Sequence, residues 1–325
     1  MEFQLTDEQK LLKKTVREFC DKEIASVVRE IDQESKIPDQ IIKKLALMNL
    51  LGMTVSGEYG GVEAEPITVG VIVEELARAD VSCAIPTFFL VQCAWGYILD
   101  KYGSTRIKQD ILPKVTKGSA FLGIAATEPD VGSDLANMKT VAKKSEDRYI
   151  VSGEKLFISG INEVMNQLPE GGGYLTLVRT SPEKGVRGMS LFYIPLKGTD
   201  GITTTILEDW GRKGISSGGF VLDGVELSRD NLIGEEDRGF YIAMEGFDYA
   251  RAIISVVCCG SAMRSLERSM EHIKSRRVFG QPIGRYEGVQ FKLAEHWARL
   301  DAVRLLGYKA LWAYHKEQTE KSFSR

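Results

Sequence analysis

The spacing of apolar residues changes period twice along the chain, from helical to alternating and back to helical. Thr6 followed three residues later by Gln9 is a capping-box pattern, and Leu11, Leu12, Val16, Phe19 and Cys20 then recur on one helical face. This predicts a first helix to about Ile31. Pro38 at a first helical turn, with Ile41, Ile42, Leu45 and Met48 behind it and Gly52 as a stop, predicts a second. After a 58–61 loop, further helices are expected over 69–79, over 82–99 as a buried one, and over 104–112, with Pro113 and Gly118 closing the block. From Phe121 the runs become short, and strands are predicted at 121–126, 140–144, 149–152, 156–158, 175–179, 189–194, 202–207 and 220–225. Gly171-Gly172-Gly173 reads as a flexible loop between two of them. Helical spacing returns at 240–273 and at 289–314, where Leu293, Trp297, Leu300, Val303 and Leu311 form a stripe suited to an antiparallel bundle. The expected class is α+β: a helical domain over 1–118, a middle β domain over 119–235 built as a barrel or sandwich, and a C-terminal helical domain over 236–325. There is no internal repeat.

Composition narrows the function classes. Of 325 residues, 43% are hydrophobic and 27% charged, which excludes disorder as the main state. The 42 basic and 45 acidic residues leave a net charge of −3, so there is no global attraction to nucleic acid. Five scattered cysteines, two of them adjacent, argue against a secreted disulfide framework and for a reducing cytoplasm. Three distant histidines without HExxH or CxxC spacing point away from a metal site. The N-terminus has no apolar export segment, and the apolar stretch 84–99, broken by Pro86, Thr87 and Gln92, falls short of the roughly 20 residues a membrane span needs.

Three segments and one residue pair could carry chemistry. Residues 127–134, Thr-Glu-Pro-Asp-Val-Gly-Ser-Asp, follow a predicted strand and place hydroxyls and backbone N–H groups in a sharp loop suited to a polar heterocycle; an ordinary strand-ending turn is the other reading. In 154–160, alternation would put Phe157 and Ser159 on one face and Leu156 and Ile158 on the other, as in any amphipathic strand. Arg276, Phe279 and Gly280 end the first long helix, where they could clamp a phosphate and stack on a ring, or simply cap the helix. Asp248 and Arg251, three apart, form either a binding pair or a surface ion pair.

In this order the segments resemble the acyl-CoA dehydrogenase family, whose members bind FAD and oxidise acyl-CoA thioesters. The resemblance runs through Leu5-Thr6-Asp7-Glu8-Gln9, Tyr59-Gly60-Gly61, Glu74-Glu75-Leu76-Ala77-Arg78, the 127–134 motif, Lys155 to Ser159, Asn231-Leu232-Ile233-Gly234 with Arg238-Gly239-Phe240, and Arg276 to Gly280. The absence of a GxGxxG after any strand makes a Rossmann oxidoreductase a poor rival.

The resemblance implies a hydrogen bond from Thr127 to the flavin pyrimidine edge, contacts of Ser133 with FAD and CoA, Phe157 beside the isoalloxazine and Ser159 at flavin N5. It implies that Arg276 and Phe279 reach the FAD of a neighbouring subunit, hence an oligomer, commonly a tetramer. Glu287 stands near the FAD pyrophosphate where many members have glutamine, and Phe247, Asp248 and Arg251 would line the CoA channel. An electron-transfer flavoprotein is the implied electron acceptor. Most members supply the catalytic glutamate from a segment beyond the two long helices, which the chain, ending at Arg325, is expected to lack; a minority carry it just before the arginine matching Arg251, where Ala250 stands. Glu245 and Asp248 are the nearest helix carboxylates, and no base is assigned. The expected reaction is α,β-dehydrogenation of an acyl-CoA thioester with hydride transfer to flavin; the alternatives are a flavin- or CoA-thioester-binding protein without that activity, or another flavin-dependent acyl-CoA reaction. By analogy Phe88, Phe89 and Trp95 line the acyl end, or are core. Ending inside the bundle would leave Leu305, Leu311 and Trp312 without apolar partners.

Overall fold

The computed structural model describes residues 4–323, with side chains through 317. By contacts the chain divides into two units, one made of 1–29, 65–87 and 251–325, the other of 30–64 and 88–250.

The first unit is helical. Helix α1 (Asp7–Phe19) opens on the predicted capping box, with Thr6 and Gln9 each bonded to the other's backbone N–H. It does not run on to Ile31. A π turn at Cys20–Ile24 interrupts it, setting both buried residues inward, and α2 (Val28–Glu34) follows. Helix α4 (Pro66–Ala79) is buried nearly all round, including Glu74 and Glu75, and buried carboxylates must be matched by donors. Arg17 of α1 takes Glu75 in a two-pronged contact at 2.7 and 2.9 Å, while Arg304 and Tyr308 of α8 (Glu287–Phe323) take Glu74, which burial would raise but these partners hold below the usual carboxylate range. Cys259 and Leu266, on α7 (Gly239–Ser275), form a cluster with Leu300 of α8. Leu311 corrects the expectation of an unpartnered face: it is fully buried against Gly70 of α4, and a Cβ at Gly70 would come within 2.5 Å of it. Leu305 and Trp312 are about half exposed. Two short strands, β9 (Arg277–Val278) and β10 (Gln281–Pro282), form a hairpin between α7 and α8.

The second unit wraps helices and one sheet around a shared core. Helices α3 (Asp39–Leu47), α5 (Ala84–Tyr102, from Phe88 on) and α6 (Thr105–Thr116) belong to it, the last capped by Ser104 and continuing through Pro113 rather than stopping there. Phe88, Phe89 and Trp95 are core, 0–2% exposed. The sheet has eight strands: β1 (Phe121–Ala125), β2 (Val141–Ser145), β3 (Arg148–Ser159), β4 (Gly172–Arg179), β5 (Met189–Pro195), β6 (Ile202–Leu207), β7 (Ser217–Ser228) and β8 (Leu232–Ile233). Its order is β6-β7-β3-β2-β4-β5-β8, with β1 pairing β4 in parallel. The predicted strands at 149–152 and 156–158 are one strand, β3, whose pairing with β7 slips near Gly153 and again near Phe157. The glycine run is not a flexible loop. Gly172 and Gly173 begin β4 and lie hard against the backbones of β1 and β5. No helix of the described residues is long and apolar enough to cross a membrane, and all five cysteines are free thiols.

Candidate active site

The 127–134 motif leaves the end of β1 and is pinned by a buried ion pair. Glu128, 4% exposed, accepts from the backbone N–H groups of Lys139 (2.7 Å) and Thr140 (2.9 Å), and from the Thr140 hydroxyl. A fourth donor is Lys155, fully buried on β3, whose ammonium lies 3.0 Å from Glu128 and 3.3 Å from the Ala126 carbonyl. Burial alone would raise the Glu128 carboxyl, but Lys155, Thr140 and the two backbone donors hold it below its ordinary value. Burial pushes the Lys155 ammonium down to about 8, against the pull of Glu128. Within the loop Glu128 and Val131 exchange backbone hydrogen bonds, and Leu156 donates its N–H to the Thr127 carbonyl at 3.0 Å. The result fixes Thr127 beside β3.

Next to it β3 bulges. Phe157 sits in the left-handed region at φ 60° and is 65% exposed, a conformation costing a non-glycine residue about 1–2 kcal/mol. The bulge breaks the alternation that the sequence predicts: Phe157, Ile158 and Ser159 all line the same cavity. This cavity, about 140 Å³, is also lined by Thr127 at its polar end and by Val91, Ile124 and Phe247. Phe247 reaches it from α7, held edge-on to Trp95 with ring centroids 5.2 Å apart. Among the described residues the Thr127 hydroxyl makes no hydrogen bond to protein. The Ser159 carbonyl takes a hydrogen bond from Tyr174 at 3.0 Å, and its hydroxyl accepts one from Arg212 at 3.0 Å.

Thr127, Phe157, Ser159 and Phe247 therefore meet at one place. Ser133 is exposed on the loop beyond, and Asp248 is exposed one position along α7 from Phe247. Arg251, a turn further on, is exposed and belongs to the helical unit. So do Arg276, Phe279 and Glu287, which are exposed just before, within and after the β9–β10 hairpin, Phe279 at φ 50° and 93% exposed. Glu287 opens α8, where a carboxylate complements the positive end of the helix dipole. Glu245 is engaged by Lys101 and Tyr102, both at 2.7 Å, which takes up both of its oxygens. Sequence reasoning assigned no role to Glu128, Lys155 or Arg212. The sequence carries little signal for the first pair: Lys155 follows Glu154 on a strand that also holds Arg148 and Ser152, and its partner lies 27 positions away.

Comparison with known proteins accords with this architecture. The acyl-CoA dehydrogenase N-terminal, middle and C-terminal domain patterns match residues 6–119, 123–225 and 237–324, and the chain belongs to the acyl-CoA dehydrogenase family. It is 32% identical over 311 residues to an acyl-CoA dehydrogenase of Bacillus subtilis, covering 94% of this chain and 79% of that one. It is 31% identical over 328 residues to an NADH-dependent acryloyl-CoA reductase of Anaerotignum propionicum, covering 100% of this chain and 80% of the relative. The structure superposes on butyryl-CoA dehydrogenase of Megasphaera elsdenii with a TM-score of 0.89 at 27% identity, over 98% of this chain and 82% of that one.

Proposed function

We propose that the protein is an FAD-dependent acyl-CoA dehydrogenase that converts an acyl-CoA thioester to the 2-enoyl-CoA. The observation that carries this is the meeting of Thr127, Phe157, Ser159 and Phe247 at one cavity in a chain of this family. The residues fit a flavin: an unpartnered threonine hydroxyl, an exposed ring held in a strained conformation, and a serine hydroxyl already tied on its acceptor side offer edge, face and donor contacts to a flat polar heterocycle. Thr127 would hold the pyrimidine edge, Phe157 the ring face, Ser159 the N5 side, and Ser133 the FAD and CoA moieties. Arg276, Phe279 and Glu287 would serve the FAD of a neighbouring subunit, and Phe247, Asp248 and Arg251 the CoA channel. Bound FAD supplies the hydride acceptor, which no side chain can provide. The chain's own part is to orient the thioester and exclude water beside Phe247. The division 1–118, 119–235 and 236–325 is part of this reading, supported by the three domain matches. So is a cytoplasmic homo-oligomer, a tetramer, that hands electrons to an electron-transfer flavoprotein; the half-exposed Leu305 and Trp312 of α8 support the oligomer.

The test is a visible spectrum of the FAD-loaded protein, expressed from its complete reading frame, under anaerobic conditions. Bleaching of the oxidised flavin by at least one member of a broad acyl-CoA panel is expected, and no bleaching by any member would refute the reading. A second reading, enoyl-CoA reduction, is favoured by the reductase relative; chemically reduced enzyme reoxidised by a 2-enoyl-CoA, with acyl-CoA inert, would select it.

Phe157 gives a sharper prediction. Phe157→Gly removes the left-handed penalty and little buried area, so the apoprotein should be unchanged or more stable by up to about 1 kcal/mol, while FAD binding weakens. Urea unfolding and FAD titration together check it; a stability loss would show that the ring is structural.

A further inference from the structure

Arg212 precedes β7 and, like Phe157, is a non-glycine residue held at φ 60°. Its guanidinium spans the paired ends of two strands, donating to the Ser159 hydroxyl of β3 at 3.0 Å and to the Ser217 hydroxyl of β7 at 2.7 Å, with Asp209 3.9 Å away. A guanidinium has donors and no acceptor. When it bonds a serine oxygen it takes an acceptor lone pair and leaves the hydroxyl hydrogen to be given elsewhere. Ser159 lines the cavity, and its own carbonyl is already used by Tyr174.

We propose that Arg212 is a positioning residue that commits the Ser159 hydroxyl to act as a donor into the cavity. This rests on the placement of Ser159 beside the flavin given above. A hydroxyl bonded to a cation is also a stronger donor than a free one, because successive hydrogen bonds polarise each other. Without Arg212 the hydroxyl could turn and spend its hydrogen on a neighbouring carbonyl. The left-handed backbone at 212 fits the same purpose, since strain of this kind persists where surrounding contacts over-determine it.

The experiment compares Arg212→Met, Arg212→Lys, Ser159→Ala, Ser217→Ala and the Arg212→Met/Ser159→Ala double variant. Each is purified with FAD and checked for folding by circular dichroism. The readouts are the oxidised-flavin absorption spectrum, FAD affinity and the rate of flavin reduction by acyl-CoA. Arg212→Met should reproduce the spectral change of Ser159→Ala and slow reduction on the order of threefold to tenfold, the worth of one hydrogen bond. Adding it to Ser159→Ala should change nothing more, and Arg212→Lys should restore part of the effect. Ser217→Ala, which breaks the other half of the bridge, should leave the flavin spectrum as it was. If Ser159→Ala alters the spectrum and Arg212→Met does not, or if the two effects add in full, or if Ser217→Ala matches Arg212→Met, Arg212 is a strand staple and the proposal is overturned. If Ser159→Ala itself leaves the flavin spectrum untouched, or the wild type binds no FAD, the placement of Ser159 fails and the role of Arg212 with it.

Discussion

Replacing Lys155 with methionine is expected to destabilise the protein by about 3–5 kcal/mol, the usual consequence of removing one partner from a buried ion pair. Methionine fills much the same volume, so the loss is electrical rather than a cavity. It leaves the Glu128 carboxylate, 4% exposed, with the Thr140 and Lys139 donors but no opposing charge. Two controls separate this from a packing effect. Removing both charges, in Glu128→Gln/Lys155→Met, should lose less than Lys155→Met alone, which a double-mutant cycle in urea would measure. The pH dependence should also change. In the wild type the folded-state Glu128 carboxyl lies below its unfolded value, so its contribution is present above the unfolded value and is lost as pH falls through the folded one. In the variant burial is no longer offset by a cation, the folded-state carboxyl rises, and the deficit relative to the wild type should narrow as pH falls from 7 towards about 4. A deficit independent of pH would show that Glu128 does not feel Lys155. Because this pair anchors the loop that carries Thr127, FAD affinity should fall alongside stability.

The period changes in the sequence located most of the helices and the longer strands along the chain, because elements such as α1 and α3 bury one face and their apolar spacing records it; the short β8, β9 and β10, and the order of strands in the sheet, left no such record. Thr127, Phe157, Ser159 and Phe247, which line one cavity, were singled out by the resemblance to the family. What escaped was whatever depends on contacts between distant segments. Glu128 reads as one more acidic loop residue until Lys155 is brought up from the neighbouring strand. Arg212 lies in a polar segment with no periodicity, and its bridge requires the ends of β3 and β7 to be paired first. The bulge at Phe157 was misread as plain alternation, since a left-handed phenylalanine carries no compositional mark. Pro113 was read as a helix stop, yet the packing of Ile111, Leu112 and Val115 carries α6 past it.

The glycine run is the most consequential of these misreadings, and it sets the second large effect. Gly172 has φ 120°, outside the range of side-chain-bearing residues, and a Cβ there would lie 2.0 Å from the Phe121 carbonyl oxygen and 2.7 Å from its nitrogen. Those atoms are backbone in the β1–β4 pairing, where Phe121 faces Gly172, so no rotamer change can make room. Gly172→Ala must therefore separate the two strands or twist β4, at a cost of at least about 3 kcal/mol. Gly224 is the matched control: its φ of 66° is also left-handed, but nothing lies within 4 Å of its would-be Cβ. Gly224→Ala should lose only the conformational penalty, about 1–2 kcal/mol. Urea midpoints of the two variants, with soluble yield as a coarser readout, would measure the difference. The functional consequence follows from where β1 leads: its last residue, Ala125, stands two positions before Thr127, and Ile124 of β1 lines the cavity directly. Parting β1 from β4 displaces the polar end of that cavity, so any Gly172→Ala protein that folds should bind FAD more weakly than Gly224→Ala. Equal stability and equal FAD affinity in the two variants would mean that β1 and β4 are not held at the close approach seen here.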